Sequence, residues 1–164
     1  MSIKINDIEV RSVREEDLLL NKDSIIELLN QNYILNFPQL VDARKYSYEN
    51  FDKMVKYIKE NTAIIIGAFC DENLLGFLWA HERLFLSDKR YHIGHIVINQ
   101  AFRNKGIGKK LMYRLELMAT ENNISIIELM ASPQNKKTML FYENIGFDVE
   151  RVQLFKKVGI NNDN

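Results

Sequence analysis

Between Ile93 and Met118 a strand, a glycine turn and a helix follow one another without a break, and this constrains the fold more than any other stretch. Ile93, Ile96, Val97 and Ile98 read as a buried strand, and Ile107, Leu111, Leu115 and Met118 then recur at helical spacing. Between them runs Gln100-Ala101-Phe102-Arg103-Asn104-Lys105-Gly106-Ile107-Gly108-Lys109-Lys110. Gly106 and Gly108 let the backbone turn tightly, and the first amides of the helix are left outside its hydrogen-bond ladder. Lysines in a first turn oppose the helix dipole, so an anion such as a pyrophosphate would relieve a local electrostatic cost. Arg103, Asn104, Lys105, Lys109 and Lys110 are the surrounding donors. A P-loop is excluded, because its four-residue gap and Gly-Lys-Ser/Thr ending are absent. A dinucleotide fingerprint lacks its third glycine and a second comparable unit. An isolated Gly-x-Gly is an ordinary turn, so the flanking strand and helix carry the reading.

With 164 residues, 46% of them apolar, the chain is expected to form one domain over residues 1–160, ending in a polar tail at 161–164. Lysine plus arginine equals aspartate plus glutamate at 22 each, which gives no reason to expect nucleic acid as a partner. Cys70 is the only cysteine, which excludes an internal disulfide and fits a reducing compartment. It closes the apolar run Ala63 to Phe69 and reads as a core thiol. Met1 to Asp7 has no charged head followed by a long apolar segment, so the expectation is a cytoplasmic protein without a membrane partner.

A first strand is expected from Ile8 to Val13, followed by the polar break Arg14-Glu15-Glu16-Asp17. A helix capped by Asp23 or Ser24 carries Ile25, Ile26, Leu28, Leu29 and Tyr33 and stops before Pro38. A second spans Tyr46 to Lys59, with Phe51, Met54, Val55 and Ile58 inward. Strands follow at Ala63 to Cys70 and Leu74 to Leu86, joined by a turn at Asp71-Glu72-Asn73, with a third from about Tyr91 to Ile98. Beyond the glycine helix come a strand at Ser125 to Met130, a helix at Asn135 to Asn144 and a last strand at Phe147 to Val158. The order predicts a mixed α/β fold with a mostly antiparallel central sheet flanked by about four helices.

Two motifs in this order resemble the GCN5-related N-acetyltransferases. One is Arg103-Asn104-Lys105-Gly106-Ile107-Gly108, matching the family's Gln/Arg-x-x-Gly-x-Gly/Ala after the fourth strand. The other is Asn135 followed seven residues later by Tyr142 within Phe141-Tyr142-Glu143-Asn144-Ile145-Gly146-Phe147. The resemblance is good from Ala63 to Val158, whereas the first sixty residues match in outline, as the family's acceptor-site elements. It implies acetyl-coenzyme A as the acyl donor, no metal, and an amine acceptor on a small molecule or a protein; many relatives are dimers, which leaves room for a homodimer.

The resemblance also implies roles. The backbone of Ile96, Val97 and Ile98 would pair with the pantetheine arm like an added strand, where the fourth and fifth strands splay. The amides of Asn104, Lys105, Gly106, Ile107, Gly108 and Lys109, beside Arg103, would hold the pyrophosphate, and Asn135 would hydrogen-bond the arm. Tyr142 is the expected general acid for the departing thiolate. A phenol near pKa 10 protonating a thiolate near 8.5 is uphill by about 2 kcal/mol, so orientation matters.

An ammonium acceptor near pKa 10 is neutral in about one molecule per thousand at pH 7, a cost of about 4 kcal/mol, so a base is useful. His92 stands where histone-acetylating relatives place a glutamate, and Glu128 on the fifth strand is the other candidate. His95 faces away from His92 in a regular strand, and a bulge would reverse this. His81 and Glu82 are further acceptor-site candidates, while Tyr33, Phe37, Tyr46 and Tyr48 either rim a pocket or fill the core. Two alternatives stay open: a regulatory module that binds acyl-coenzyme A without turnover, and O-acetylation of a sugar-like acceptor.

Overall fold

The computed structural model describes residues 7–156 and 158. The polar tail expected at 161–164 and most of the N-terminal segment lie outside the described residues. The chain divides into two compact units, Met1–Ser132 and Pro133–Asn164.

The first unit runs β1 (Glu9–Ser12), α1 (Glu15–Leu20), α2 (Lys22–Asn36), α3 (Ala43–Lys59), β2 (Ile64–Cys70), β3 (Asn73–Phe85), β4 (Asp88–Ile98), a 3-10 turn (Gln100–Phe102), α4 (Ile107–Glu121) and β5 (Ile126–Leu129). The strands form one sheet in the order β1-β2-β3-β4-β5. The first four are antiparallel neighbours, and β5 joins β4 in parallel. Side chains alternate across a strand, so each strand serves two layers. Ile65, Phe69, Phe77, Trp79 and Val97 pack with Ile25, Ile26, Leu29, Phe51 and Met54 of α2 and α3. Ile66, Leu78, Ala80 and Ile93 are buried on the opposite face, and Ile107, Leu111, Met112 and Leu115 are buried along α4. Each such buried Val, Leu, Ile, Phe or Met side chain stabilises the fold by about 1.5–3 kcal/mol.

The early helices differ from expectation. Arg14 to Asp17 is no break, because Glu15, Glu16 and Asp17 form the first turn of α1, where acidic residues suit the helix dipole. Asp17 Oδ2 accepts the Arg14 backbone N–H at 2.8 Å, and Arg11 forks onto the same carboxylate at 2.7 and 2.8 Å. Neither Asp23 nor Ser24 caps α2, which begins at Lys22; Asn21 instead bridges to Leu74 N–H. α3 starts three residues early, because Asp42 accepts from Lys45 N–H at 2.9 Å. β4 likewise begins at Asp88, in a hairpin closed by the pair Phe85↔Asp88.

The second unit contains α5 (Lys136–Asn144), which makes five α-helices among the described residues. The strand expected at Phe147 to Val158 is absent from residues 147–156 and 158. Alternating apolar residues mark a face for burial, yet a strand also needs a partner for its backbone groups. No described ladder includes this segment, and Val152, Leu154 and Phe155 are 75%, 88% and 84% exposed.

Candidate active site

The glycine turn is assembled from the end of β4. Asn99 accepts the Ala101 N–H at 3.0 Å, and Arg103 Nε donates to the Ile98 carbonyl at 3.0 Å, tying the turn to the strand. Asn104 and Gly106 have φ of 61° and 76°, the left-handed region that turns the chain into α4. The first helical hydrogen bond runs from Lys110 N–H to Gly106 O at 3.1 Å, so the amides of Ile107, Gly108 and Lys109 lie outside the ladder. Lys105 Nζ lies 5.1 Å from the Phe102 ring centre. These features fit an anionic group at the helix start.

Beside the turn, β4 has an open stretch. Its ladder with β5 runs from Arg90↔Ile126 to Ile93↔Leu129 and ends there. Gly94 then takes an extra position, since Trp79 pairs His95 while Ala80 pairs Ile93. From Gly94 through Ile96, Val97 and Ile98 the strand pairs only with β3 among the described residues, which suits an extended ligand. Val97 still fills the core at 3% exposure, so backbone and side chain serve different ends.

Next to the end of that ladder sits a polar cluster. His92 Nδ1 lies 3.0 Å from Glu128 Oε1, in cross-strand register. The same carboxylate accepts Arg83 Nη1 at 2.9 Å on Oε1 and Arg90 Nη1 at 3.1 Å on Oε2. Burial alone would push Glu128 up, but hydrogen bonds from His92 and Arg90 and the charge of Arg83 outweigh it and hold the carboxyl below its usual range. His81 stacks 5.2 Å from His92, and burial, reinforced by His92 and Arg83, lowers its pKa. Sequence reasoning missed Arg83 and Arg90. The signal was there: each lies two residues from a histidine on its own strand and therefore shares its face.

The bulge turns His95 onto the same face as His92, correcting the regular-strand expectation. Its ring lies 5.7 Å from Trp79 and 5.9 Å from Tyr33, with Asn32 Nδ2 at 3.4 Å from Nδ1. Burial pulls His95 down to about 4, so it is neutral near pH 7. Tyr33 also meets Phe37 at 6.1 Å and Tyr46 at 6.2 Å, and Asn50 Nδ2 donates to its hydroxyl. Phe37 and Tyr46, 48% and 43% exposed, line a cleft with Leu40, Val41, Asp42 and Lys45. Glu82 turns to the opposite face of β3 and pairs with Lys89 at 3.0 Å.

In the second unit Asn135 is the N-cap of α5, accepting the Thr138 N–H at 3.3 Å. Tyr142 is 7% exposed, with Phe141 and Phe147 ring centres at 5.3 and 5.4 Å. Burial pushes its phenol up to about 12, so it keeps its proton across the neutral range and offers a hydrogen-bond donor.

A mixed sheet whose fourth strand opens beside a glycine-turned helix start is the architecture of an acyltransferase. A model of the Acetyltransferase (GNAT) family matches residues 23–147, and the chain belongs to that family, whose members use acetyl-coenzyme A. N-alpha-acetyltransferase 30 of Xenopus laevis is 26% identical over 151 residues, covering 92% of this chain. The chain spans about half, 50%, of that relative's length. Among solved structures, the PaiA N-acetyltransferase of Thermoplasma acidophilum in complex with coenzyme A superposes with a TM-score of 0.73 at 23% identity, over 93% of this chain and 94% of that one. A GCN5-related N-acetyltransferase from Ralstonia eutropha gives 0.74 at 17% identity, over 92% and 98%. Among the described residues no helix is long and apolar enough to cross a membrane.

Proposed function

We propose that the chain transfers an acetyl group from acetyl-coenzyme A to an amine of a small molecule or a protein, by direct attack in a ternary complex. The observation that carries this reading is the His92–Glu128 contact beside the point where the β4–β5 ladder ends. Bound acetyl-coenzyme A supplies an electrophilic thioester carbonyl. The Ile107, Gly108 and Lys109 amides hold its pyrophosphate, and β4 from Gly94 to Ile98 pairs with its arm. Asn135 adds a hydrogen bond to that arm.

His92 takes the proton of the incoming ammonium, directly or through one water; the freed nitrogen forms the new N–C bond, the C–S bond breaks, and the second proton that the nitrogen sheds passes through water to restore the phenol of Tyr142. Glu128, committed to three donors and held ionised, is the poorer base. Tyr142 hydrogen-bonds the departing sulfur. With its pKa at about 12 against about 8.5 for a thiol, full proton release before bond cleavage would cost about 5 kcal/mol, so the proton moves only as charge develops.

The test is a panel of amines, comprising tetrapeptides with a free α-amine, spermidine and an aminoglycoside, with release of free thiol as the readout. N-acetylated product from at least one amine supports the reading. Thiol release with a hydroxyl acceptor and none of the amines would overturn it. Tyr142→Phe is expected to keep acetyl-coenzyme A binding and slow turnover by about 100-fold; unchanged turnover removes Tyr142 from the mechanism.

A further inference from the structure

We infer that Glu128 is the positioning residue of the reaction: clamped by Arg83 and Arg90, it fixes the proton of the His92 ring on Nδ1 and leaves Nε2 as the bare nitrogen that receives the acceptor's proton. The inference rests on His92 being the base.

A guanidinium can only donate. Arg83 Nη1 at 2.9 Å therefore claims Oε1 of Glu128, and Arg90 Nη1 at 3.1 Å claims Oε2. An ionised carboxylate can only accept, so its 3.0 Å contact with His92 Nδ1 is satisfied only when that nitrogen carries hydrogen. Three members are enclosed, with side-chain exposures of 6% for Arg90, 13% for Glu128 and 15% for His92, while Arg83 closes the cluster from the solvent side at 40%. Phe85 floors it, 4.7 Å beneath the Arg90 guanidinium. The charged or titratable groups around His92 are His81 and Arg83 on β3, Arg90 on β4 and Glu128 on β5; Asp88 pairs with Arg90 at 3.8 Å. Among the described residues none of the others is an acceptor placed on Nδ1. Free imidazole favours hydrogen on Nε2, so the clamp selects the less common tautomer.

Glu128→Gln keeps the shape and inverts the logic. Buried Arg90 keeps the amide oxygen at the Oε2 position, so the NH2 takes the Oε1 position facing His92 Nδ1, the more exposed Arg83 swings away, and the ring proton moves to Nε2. This blocks the base while leaving the acetyl-coenzyme A cradle untouched.

The experiment is long-range 1H–15N correlation on histidine-labelled protein in the alkaline range, with the His92 signal assigned by its loss in His92→Gln. Wild-type protein is expected to show hydrogen on Nδ1; hydrogen on Nε2 overturns the inference, and this reading needs neither an acceptor nor a variant at Glu128. In Glu128→Gln the hydrogen is expected on Nε2. With the fastest amine of the panel above, kcat is expected to fall by about 100-fold or more at unchanged KM for acetyl-coenzyme A. Unchanged kcat in Glu128→Gln, alongside loss of turnover in His92→Gln, overturns the positioning role alone. Unchanged turnover in His92→Gln overturns the base and the inference together.

Discussion

His95 shows how much one backbone irregularity decides. Without the extra position at Gly94 its ring would turn toward the α4 side of the sheet; with it, the ring lies against Trp79 and Tyr33 and stays neutral. Its pKa falls from 6.5 to about 4, so on acidification the unfolded chain takes up the proton first. The associated stability is fully present above pH 6.5 and lost as pH falls to about 4, amounting to about 3 kcal/mol. Urea unfolding at pH 7 and near pH 5 should show this slope, and His95→Gln should flatten it; an unchanged slope would place the acid sensitivity elsewhere. Periodicity could not locate the bulge, because a glycine within a strand signals an irregularity without saying which neighbour changes face. His92 and Glu128 were legible as candidates from residue type and strand position. Their union was not, since cross-strand register is fixed by the whole ladder and not by either strand alone.

Among the elements, the glycine-turned start of α4 was the most legible, because strand, turn and helix are contiguous in the chain. The α1 helix was hidden by acidic residues that resemble a loop until their capping contacts are counted. The Phe147 to Val158 segment misled in the opposite sense, since alternation describes a strand's faces and says nothing of its partner. Two glycines test the elements around the turn. At Gly76 an added Cβ would meet Val97 O at 2.7 Å and Ile98 Cα at 3.0 Å, both backbone atoms of β4. Gly76→Ala should therefore push the hairpin apart just before the turn and destabilise by about 1–3 kcal/mol, measurable as a lower Tm. At Gly106 a Cβ has no neighbour within 4 Å, but φ is +76°, which costs a side chain about 1–2 kcal/mol. Gly106→Val should fold with a modestly lower Tm and lose the stabilisation that acetyl-coenzyme A gives the wild type. Retention of that stabilisation would mean that the helix start is not the anion site.

At the scale of the molecule, lysine plus arginine balances aspartate plus glutamate at 22 each, so no net field draws an anionic donor in and recognition must be local. The helix start and the open stretch of β4 adjoin in the first unit, and they make different demands. The helix start suits any pyrophosphate, whereas the stretch from Gly94 to Ile98, beyond the end of the β4–β5 ladder, suits an extended, hydrogen-bonding arm. A ligand held at 100 times its Kd stabilises the native state by about 2.7 kcal/mol, or about 5–10 °C in Tm for a chain of this size. Coenzyme A and acetyl-coenzyme A should produce a shift of that order, and ADP at the same concentration a distinctly smaller one, because it satisfies the amides and leaves the strand edge open. Equal shifts from ADP and coenzyme A would strip the open edge of its role and reduce the donor site to the helix start. A larger shift from coenzyme A that disappears in Gly106→Val would tie both parts to one ligand.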